Sequence, residues 1–173
     1  MKPTSKAEQI LKELKFDFSA FSLEAFIRHV GQYKGREIIS IAWEMEMPCG
    51  VFGAWMLDAD NPVAYIFYRS DLVPMHKIHV QLHELAHFLY GHPTLELSRD
   101  LLTRIAAGTA PLPLSDLPHL RSTTHTEIID VEAETLADLI QERVIRLASI
   151  DRLVHSAVPE EKLADFLKTL SAA

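Results

Sequence analysis

The stretch that decides the fold is residues 74–91, PMHKIHVQLHELAHFLYG. Pro74 suits the first position of a helix, because the amide hydrogen that proline lacks would be unpaired there in any case. Gly91 suits the position just past the C-terminal end, where a left-handed residue commonly closes the last turn. The pattern therefore predicts one helix from about Pro74 to Gly91, with the segment HELAH at residues 83–87 in its second half.

That segment has the spacing HExxH, in which His83 and His87 lie four residues apart. On a helix, residues i and i+4 lie about one turn apart on the same face, so both imidazoles can bind one metal ion. Glu84 follows the first histidine, where its carboxylate can accept a proton from water. Zinc suits such a site because it lowers the pKa of bound water to about 7. The residues predict a zinc site with His83 and His87 as ligands and Glu84 as the general base.

A catalytic zinc also needs a third protein ligand, and a later predicted helix offers a cluster of acids. The candidates within residues 125–138, HTEIIDVEAETLAD, are Glu127, Asp130, Glu132, Glu134 and Asp138. By helical spacing Glu127, Asp130 and Glu134 share one face. Glu132 lies about 200° around the helix axis from Asp130. Spacing alone leaves open which carboxylate completes the site.

Further histidines accompany the motif. His76 and His79 continue the stripe of His83 and His87 towards the N-terminus of the predicted helix. We expect these two residues to line the same cleft or to form local hydrogen bonds, rather than to form a second metal site. His92 lies beyond the helix, and we expect it to be a loop or packing residue. The weak candidates for stabilising an oxyanion are Tyr90, His92 and His125.

Outward from this helix, short apolar segments at 37–43, 51–57 and 63–68 predict three antiparallel strands. Helical spacing predicts further helices at 5–14, 22–35, 96–107, 126–148 and 159–170, and the proline-rich stretch 108–124 predicts a loop. The expected fold is one α+β domain over residues 1–173, a small three-stranded antiparallel sheet packed with helices. N-terminal helices occupy 1–35, the sheet and motif helix 36–92, and C-terminal helices 93–173.

Composition narrows the function classes. The chain has 173 residues and a net charge of −7, which argues against a nucleic-acid-binding surface. Cys49 is the single cysteine, so an intrachain disulfide and a cysteine-rich zinc ribbon are excluded. The N-terminal residues do not follow the pattern of a secretory signal, and no segment has the run of about 18 apolar residues that a membrane span needs. We therefore expect a cytoplasmic protein without membrane partners.

Two segments, HELAHFLYGH at residues 83–92 and DVEAETLADLI at 130–140, resemble the ImmA/IrrE family of bacterial zinc metallopeptidases. With the strand segment VAYIFY before them, the resemblance covers roughly residues 37–145. The family pairs the HExxH helix with a later helix that carries acid-x-x-Ala-acid, which Asp130, Ala133 and Glu134 match. The resemblance implies Asp130 as the third zinc ligand, where the family usually has glutamate. Glu134, one turn on, is then placed to orient a ligand histidine.

The resemblance also implies a zincin-like fold and a zinc-dependent endopeptidase that cuts a regulatory protein, such as a DNA-binding repressor. Its mechanism would be metal-assisted hydrolysis, with Glu84 as general base and then proton donor to the leaving amine. We expect an extended substrate to lie along an edge strand near 63–68. The alternative is a non-catalytic zincin-fold binding or regulatory module, associated with a phage or a toxin–antitoxin system. Glu84 discriminates between them, because a purely structural zinc needs no carboxylate beside its first ligand.

Overall fold

The computed structural model of the chain describes residues 3–44, 50–117 and 124–157, and in the last stretch it describes side chains for residues 128–149. The elements in these stretches are, in chain order, α1 (Pro3–Leu14), α2 (Leu23–Lys34), β1 (Glu37–Trp43), β2 (Gly53–Asp58), β3 (Val63–Arg69), α3 (Pro74–Tyr90), β4 (Leu95–Leu97), α4 (Arg99–Ala106) and α5 (Thr124–Ala157). Short 3-10 turns lie at Phe18–Ala20 and Leu114–Asp116. None of the helices in these stretches is both long enough and apolar enough to cross a membrane.

The four strands form one mixed sheet in the order β1-β3-β2-β4. β2 and β3 pair antiparallel, whereas β1 runs parallel to β3 and β4 runs parallel to β2. The α+β class is confirmed, but the predicted sheet of three antiparallel strands is wrong. The strand segments are correct, and the error lies in the pairing. A local pattern gives the face of each strand, whereas the connections between strands decide which strands become neighbours.

The turn after β2 explains the antiparallel pair. The carboxylate of Asp58 accepts hydrogen bonds from the backbone amides of Asp60 and Asn61, at 2.8 and 3.1 Å. Such a side-chain-to-backbone bond closes a tight turn and sends the chain straight back along β2. β3 pairs with β2 on one side and with β1 on the other, so it lies inside the sheet. The expectation that a substrate lies along an edge strand at 63–68 is wrong, because β3 is not an edge.

Both faces of the sheet are covered. On one face Trp55, Ala64 and Ile66 belong to a core cluster shared with α1, α2, α3 and α5. On the other face Met56, Tyr65 and Phe67 pack with residues of α4 and of the segment that follows it. Successive strand residues point to opposite faces, so a strand buried on both faces is apolar throughout. This is why β2 and β3 read as continuous apolar runs.

The helix α3 begins and ends where the sequence predicts. Pro74 is at its first turn, and Gly91 closes it with φ of 71°. α2 is likewise confirmed, with the Ser22 hydroxyl capping its N-terminus and Gly35 in the left-handed conformation at its C-terminus. The second half of α3 is almost entirely buried, because α3 packs against β2, β3 and α5. The histidine-rich motif thus lies inside the fold.

The C-terminal half departs from the prediction in its boundaries. The predicted helix at 96–107 is divided into β4 and α4, and Ser98 caps the N-terminus of α4. A strand of three residues is too short to show an alternating pattern, so periodicity does not predict it. α5 runs from Thr124 to Ala157 and is longer than the predicted 126–148. The predicted helix at 159–170 lies outside the described residues.

Candidate metal centre

The structure brings His83 and His87 of α3 together with Asp130 of α5. The two Nε2 atoms of the histidines are 3.0 Å apart, and His87 Nε2 lies 3.6 Å from Asp130 Oδ1. Ligand atoms of all three residues lie within 4.8 Å of one another. Zinc bonds of about 2.0–2.2 Å in tetrahedral geometry separate neighbouring ligand atoms by roughly 3.3–3.6 Å. The measured 3.6 Å falls within this range and the measured 3.0 Å lies just below it, so a small adjustment of the two imidazoles would accommodate one zinc ion.

Small residues on α5 allow this approach. Ala133 and Ala137 are fully buried, as are Leu136 and Ile140 on the same face. An alanine leaves room for the backbone of a neighbouring helix, so α3 and α5 pack closely at this level. Asp130, one turn before Ala133, then reaches the histidines. Burial raises the pKa of Asp130, while His83 lowers it and the charge of Glu134 raises it further.

Glu84 lies on the buried side of the motif, and only 4% of its surface is exposed. Burial, and then the negative charge of Asp130, raise the pKa of its carboxyl from 4.5 to about 8. Its Oε2 atom has no hydrogen-bond partner among the described residues. A buried carboxyl without a partner is costly in folding free energy, and such groups concentrate at functional sites.

Gly53, the first residue of β2, makes room for Glu84. A Cβ atom at this position would lie 2.8 Å from Glu84 Oε1 and 2.6 Å from Val80 Cγ1. Any side chain here would therefore collide with the carboxylate or with α3. Nothing in the local sequence distinguishes Gly53, because a close approach between a strand and a helix leaves no local pattern.

Glu134 supports the first histidine of the motif. The Nδ1 atom of His83 lies 2.9 Å from Glu134 Oε2, and the other carboxylate oxygen lies 3.1 Å from His79 Nε2. A carboxylate that accepts from Nδ1–H leaves Nε2 of His83 unprotonated and facing the triad. Glu134 therefore lies beside the triad, in contact with His83. His79 also contacts Gln141, with Nδ1 at 3.2 Å from Oε1.

His92 and Glu132 have closer links to the motif than the sequence indicated. The Nδ1 atoms of His92 and His87 are 2.9 Å apart, and His92 Nε2 lies 3.2 Å from Glu132 Oε2. Glu132 is not part of the triad, and its other oxygen accepts a hydrogen bond from the Lys6 ammonium of α1. His92 is more than the loop or packing residue that was expected. Its contacts span 40 positions to Glu132, which periodicity could not reveal.

The ionisation of this pair follows from the same contacts. Burial lowers the pKa of His92, although the neighbouring Glu132 carboxylate opposes the shift. Burial alone would raise the pKa of Glu132, but hydrogen bonds from Lys6 and His92 outweigh it and the pKa is lowered. These directions favour a neutral imidazole beside an ionised carboxylate.

An open cleft of about 380 Å³ leads to the triad. It is lined by the chain from Gly50 to Gly53, by residues of α3 between His76 and Glu84, and by Asp130 and Glu134. His76 and His79 line this cleft, as expected. His79, Glu134 and Asp138 also bring ligand atoms within 4.8 Å of one another, although both acids are exposed.

Two of the residues considered for the oxyanion, Tyr90 and His92, do not lie at this cleft. Their rings stack on each other at 5.1 Å. The Tyr90 hydroxyl is buried without a hydrogen-bond partner among the described residues, and burial raises its pKa to about 12. The side chains of His125 and Glu127 lie outside the described residues.

Comparison with known proteins adds no relative. No protein-family model matches this chain, and neither the curated proteins nor the solved structures include a match. The resemblance to the ImmA/IrrE family therefore remains a prediction from the two motifs.

Proposed function

We propose that this chain is a zinc-dependent endopeptidase in which His83, His87 and Asp130 hold the metal and Glu84 is the catalytic base. The observation that carries the proposal is the placement of Glu84. Its carboxyl is buried next to the triad, and its Oε2 atom has no hydrogen-bond partner among the described residues. A protein that used the metal only for structure would gain nothing from so costly a group. This favours an enzyme over the non-catalytic binding module.

The donor set fits zinc. Two imidazole nitrogens and one carboxylate oxygen form a three-ligand set typical of catalytic zinc sites. The second ring nitrogen of each histidine already contacts a partner, Glu134 for His83 and His92 for His87. Such partners fix the tautomer and orientation that a metal ligand needs. A zinc ion bound there would supply a Lewis acid that polarises the scissile carbonyl and acidifies water.

Glu84 carries the proton transfers of the proposed reaction. It accepts a proton from the water molecule whose oxygen attacks the carbonyl carbon of the scissile peptide bond. It then donates that proton to the amine nitrogen as the C–N bond breaks, so that a carboxyl product and an amine product leave.

The substrate position is assigned to the free edge of β2 in place of β3. β4 pairs with β2 only from Met56 to Asp58, so the first half of β2 has no strand partner on that side among the described residues. The Thr94 hydroxyl donates to the Trp55 carbonyl on this side. The N–H and C=O groups of residues two positions apart in a strand point to the same edge. Those of Gly53 therefore point to the same edge of β2 as those of Trp55. An extended peptide could pair there, beside Glu84.

The proposed substrate is accordingly a polypeptide in an extended conformation. A regulatory protein such as a transcriptional repressor stays the proposed target on the basis of the motif resemblance. The cleft is open, which suits a protein segment more than a small molecule that must be enclosed.

The test uses the zinc-loaded protein and a peptide library prepared from digested proteins. Mass spectrometry then records new termini with and without a zinc chelator. Wild-type protein should give cuts that the chelator abolishes and that Glu84→Gln reduces by about 10²–10⁴-fold. Glu8→Gln, a change at an exposed glutamate of α1, is the matched control and should cut at the wild-type rate. If Glu84→Gln cuts as fast as wild type, the proposed role of Glu84 is wrong. If wild type binds zinc and cuts nothing, a binding module is the better description.

A further inference from the structure

The turn after α3 folds His92 back onto the motif. Gly91 adopts the left-handed conformation, and the His92 amide donates to the His87 carbonyl at 3.0 Å. The Tyr90 ring lies nearly parallel to the His92 imidazole, with an angle of 9° between them. Backbone and side-chain contacts therefore both fix the imidazole of His92, which is only 9% exposed.

The contacts of this imidazole determine where its hydrogen lies. An ionised carboxylate can only accept hydrogen bonds, so the Nε2 atom of His92 that faces Glu132 carries the hydrogen. In a neutral imidazole the other nitrogen, Nδ1, is then an acceptor. It lies 2.9 Å from Nδ1 of His87, which must donate to it.

The tautomer of His92 determines the tautomer of His87, the proposed metal ligand. If Nδ1 of His87 carries its hydrogen, Nε2 is the unprotonated nitrogen of the ring. Nε2 is the atom that faces His83 and Asp130. The contact with His92 thus selects the tautomer of His87 that can bind a metal.

The outer end of this chain of contacts lies on α1. Lys6 donates to Glu132 across 126 positions of sequence, and Glu132 is 9% exposed. The ammonium pairs with one carboxylate oxygen of Glu132, and the other oxygen faces His92 Nε2 at 3.2 Å. The ionised carboxylate is in turn the acceptor that directs the hydrogen of His92.

We propose that Lys6, Glu132 and His92 form a positioning relay that holds His87 in its metal-binding tautomer, so that α1 contributes to metal affinity. The proposal rests on the proposed function, because it needs His87 to be a ligand. None of the three residues touches the proposed substrate cleft. They act through His87 and are positioning residues rather than catalytic ones.

The experiment measures zinc affinity by competition with a chelator of known affinity. His92→Phe keeps a ring that can stack on Tyr90 and removes both nitrogens, and Glu132→Gln removes the charge with little change of shape. Each should weaken zinc binding by about 10–100-fold. Lys6→Met should give a smaller loss in the same direction. Glu142→Gln, at an exposed glutamate of α5 that pairs with nearby Arg146, is the matched control and should not change the affinity.

Two further measurements separate positioning from a general loss of structure. His92→Asn keeps an acceptor near the place of Nδ1 and should recover most of the affinity that His92→Phe loses. With cobalt in place of zinc, the visible absorption spectrum should differ between wild type and His92→Phe, because the field of the His87 ligand changes. Thermal unfolding of the metal-free variants measures their intrinsic stability. If His92→Phe does not fold, Glu132→Gln and the partly exposed Lys6→Met carry the test.

The outcomes distinguish the two proposals. If wild type binds zinc and His92→Phe has the same zinc affinity and the same cobalt spectrum as wild type, the relay is overturned and the proposed function is not. A wild-type chain that binds no zinc would overturn the proposed function and the relay together. Loss of affinity in His92→Phe and Glu132→Gln, with recovery in His92→Asn and none in the control, is the result expected.

Discussion

Gly53 offers a direct test of how the proposed catalytic base is positioned. In Gly53→Ala, the new methyl group would lie 2.6 Å from Val80 Cγ1 and 2.8 Å from Glu84 Oε1. Both distances are well below van der Waals contact. Val80 is β-branched and stiff at χ1, and α3 is fixed at both ends by Pro74 and Gly91. Relief must therefore come from rotation of the Glu84 carboxylate or from a shift of β2 away from α3.

The expected cost follows from the crowding. Adding one methyl to a well-packed site costs about 1–3 kcal/mol. For a chain of 173 residues this lowers Tm by roughly 2–12 °C, at about 2–4 °C per kcal/mol. Either form of relief also moves the carboxylate away from the place where it meets the substrate. Hydrolysis should fall by at least about tenfold, towards the 10²–10⁴-fold that a general base contributes. Zinc affinity should change little, since the nearest atoms belong to Val80 and Glu84 and not to the ligands.

Three measurements check this prediction: thermal unfolding, chelator competition for zinc, and cleavage of the peptides that wild type cuts. Gly31→Ala, on α2, is the matched control, because its Cβ would lie 2.6 Å from the carbonyl oxygen of Arg36, and neither residue lines the cleft. The control should lose stability but keep its cleavage rate per folded molecule. Cleavage by Gly53→Ala at the wild-type rate would contradict the role of Gly53 in positioning Glu84. Loss of zinc as complete as in a ligand variant would contradict it too.

Three other predictions follow from the centre. In chelator-treated protein the Glu84 carboxyl of the folded chain has a pKa of about 8, whereas the ordinary value is 4.5. Between these pH values the unfolded chain loses this proton and the folded chain keeps it, so the free energy of unfolding falls as pH rises. Glu84→Gln should then have a higher free energy of unfolding than wild type. The difference should grow between pH 5 and pH 8 and reach the order of a few kcal/mol. Urea unfolding at three pH values measures this gap, and a gap independent of pH would contradict the assignment. Asp130→Ala should lose zinc affinity more severely than Glu134→Ala, whereas Asp130→Glu should retain most of it. The opposite order in a chelator competition would make Glu134 the ligand. Zinc at 100 times its Kd should stabilise wild type by about 2.7 kcal/mol, and an unchanged Tm on zinc addition would mean that the folded chain has no such site.

The sequence alone determined the elements that depend on neighbouring residues. Proline and glycine fixed the ends of α3, and a serine and a glycine fixed those of α2. Helical spacing placed His83 and His87 on one face and set Glu132 apart from Asp130. These features are local, since capping and periodicity act over one or two turns of chain.

Only the tertiary structure decided which segments meet. The parallel pairing of β1, the central place of β3 and the short strand β4 come from chain connections that no local pattern encodes. The same holds for the site. Gly53 meets Glu84 because β2 packs on α3, and Lys6 meets Glu132 because α1 packs on α5. Contacts across tens of residues form when whole elements bury their apolar faces together, and a polar pair inside such an interface depends on how the elements pack rather than on the sequence around either residue.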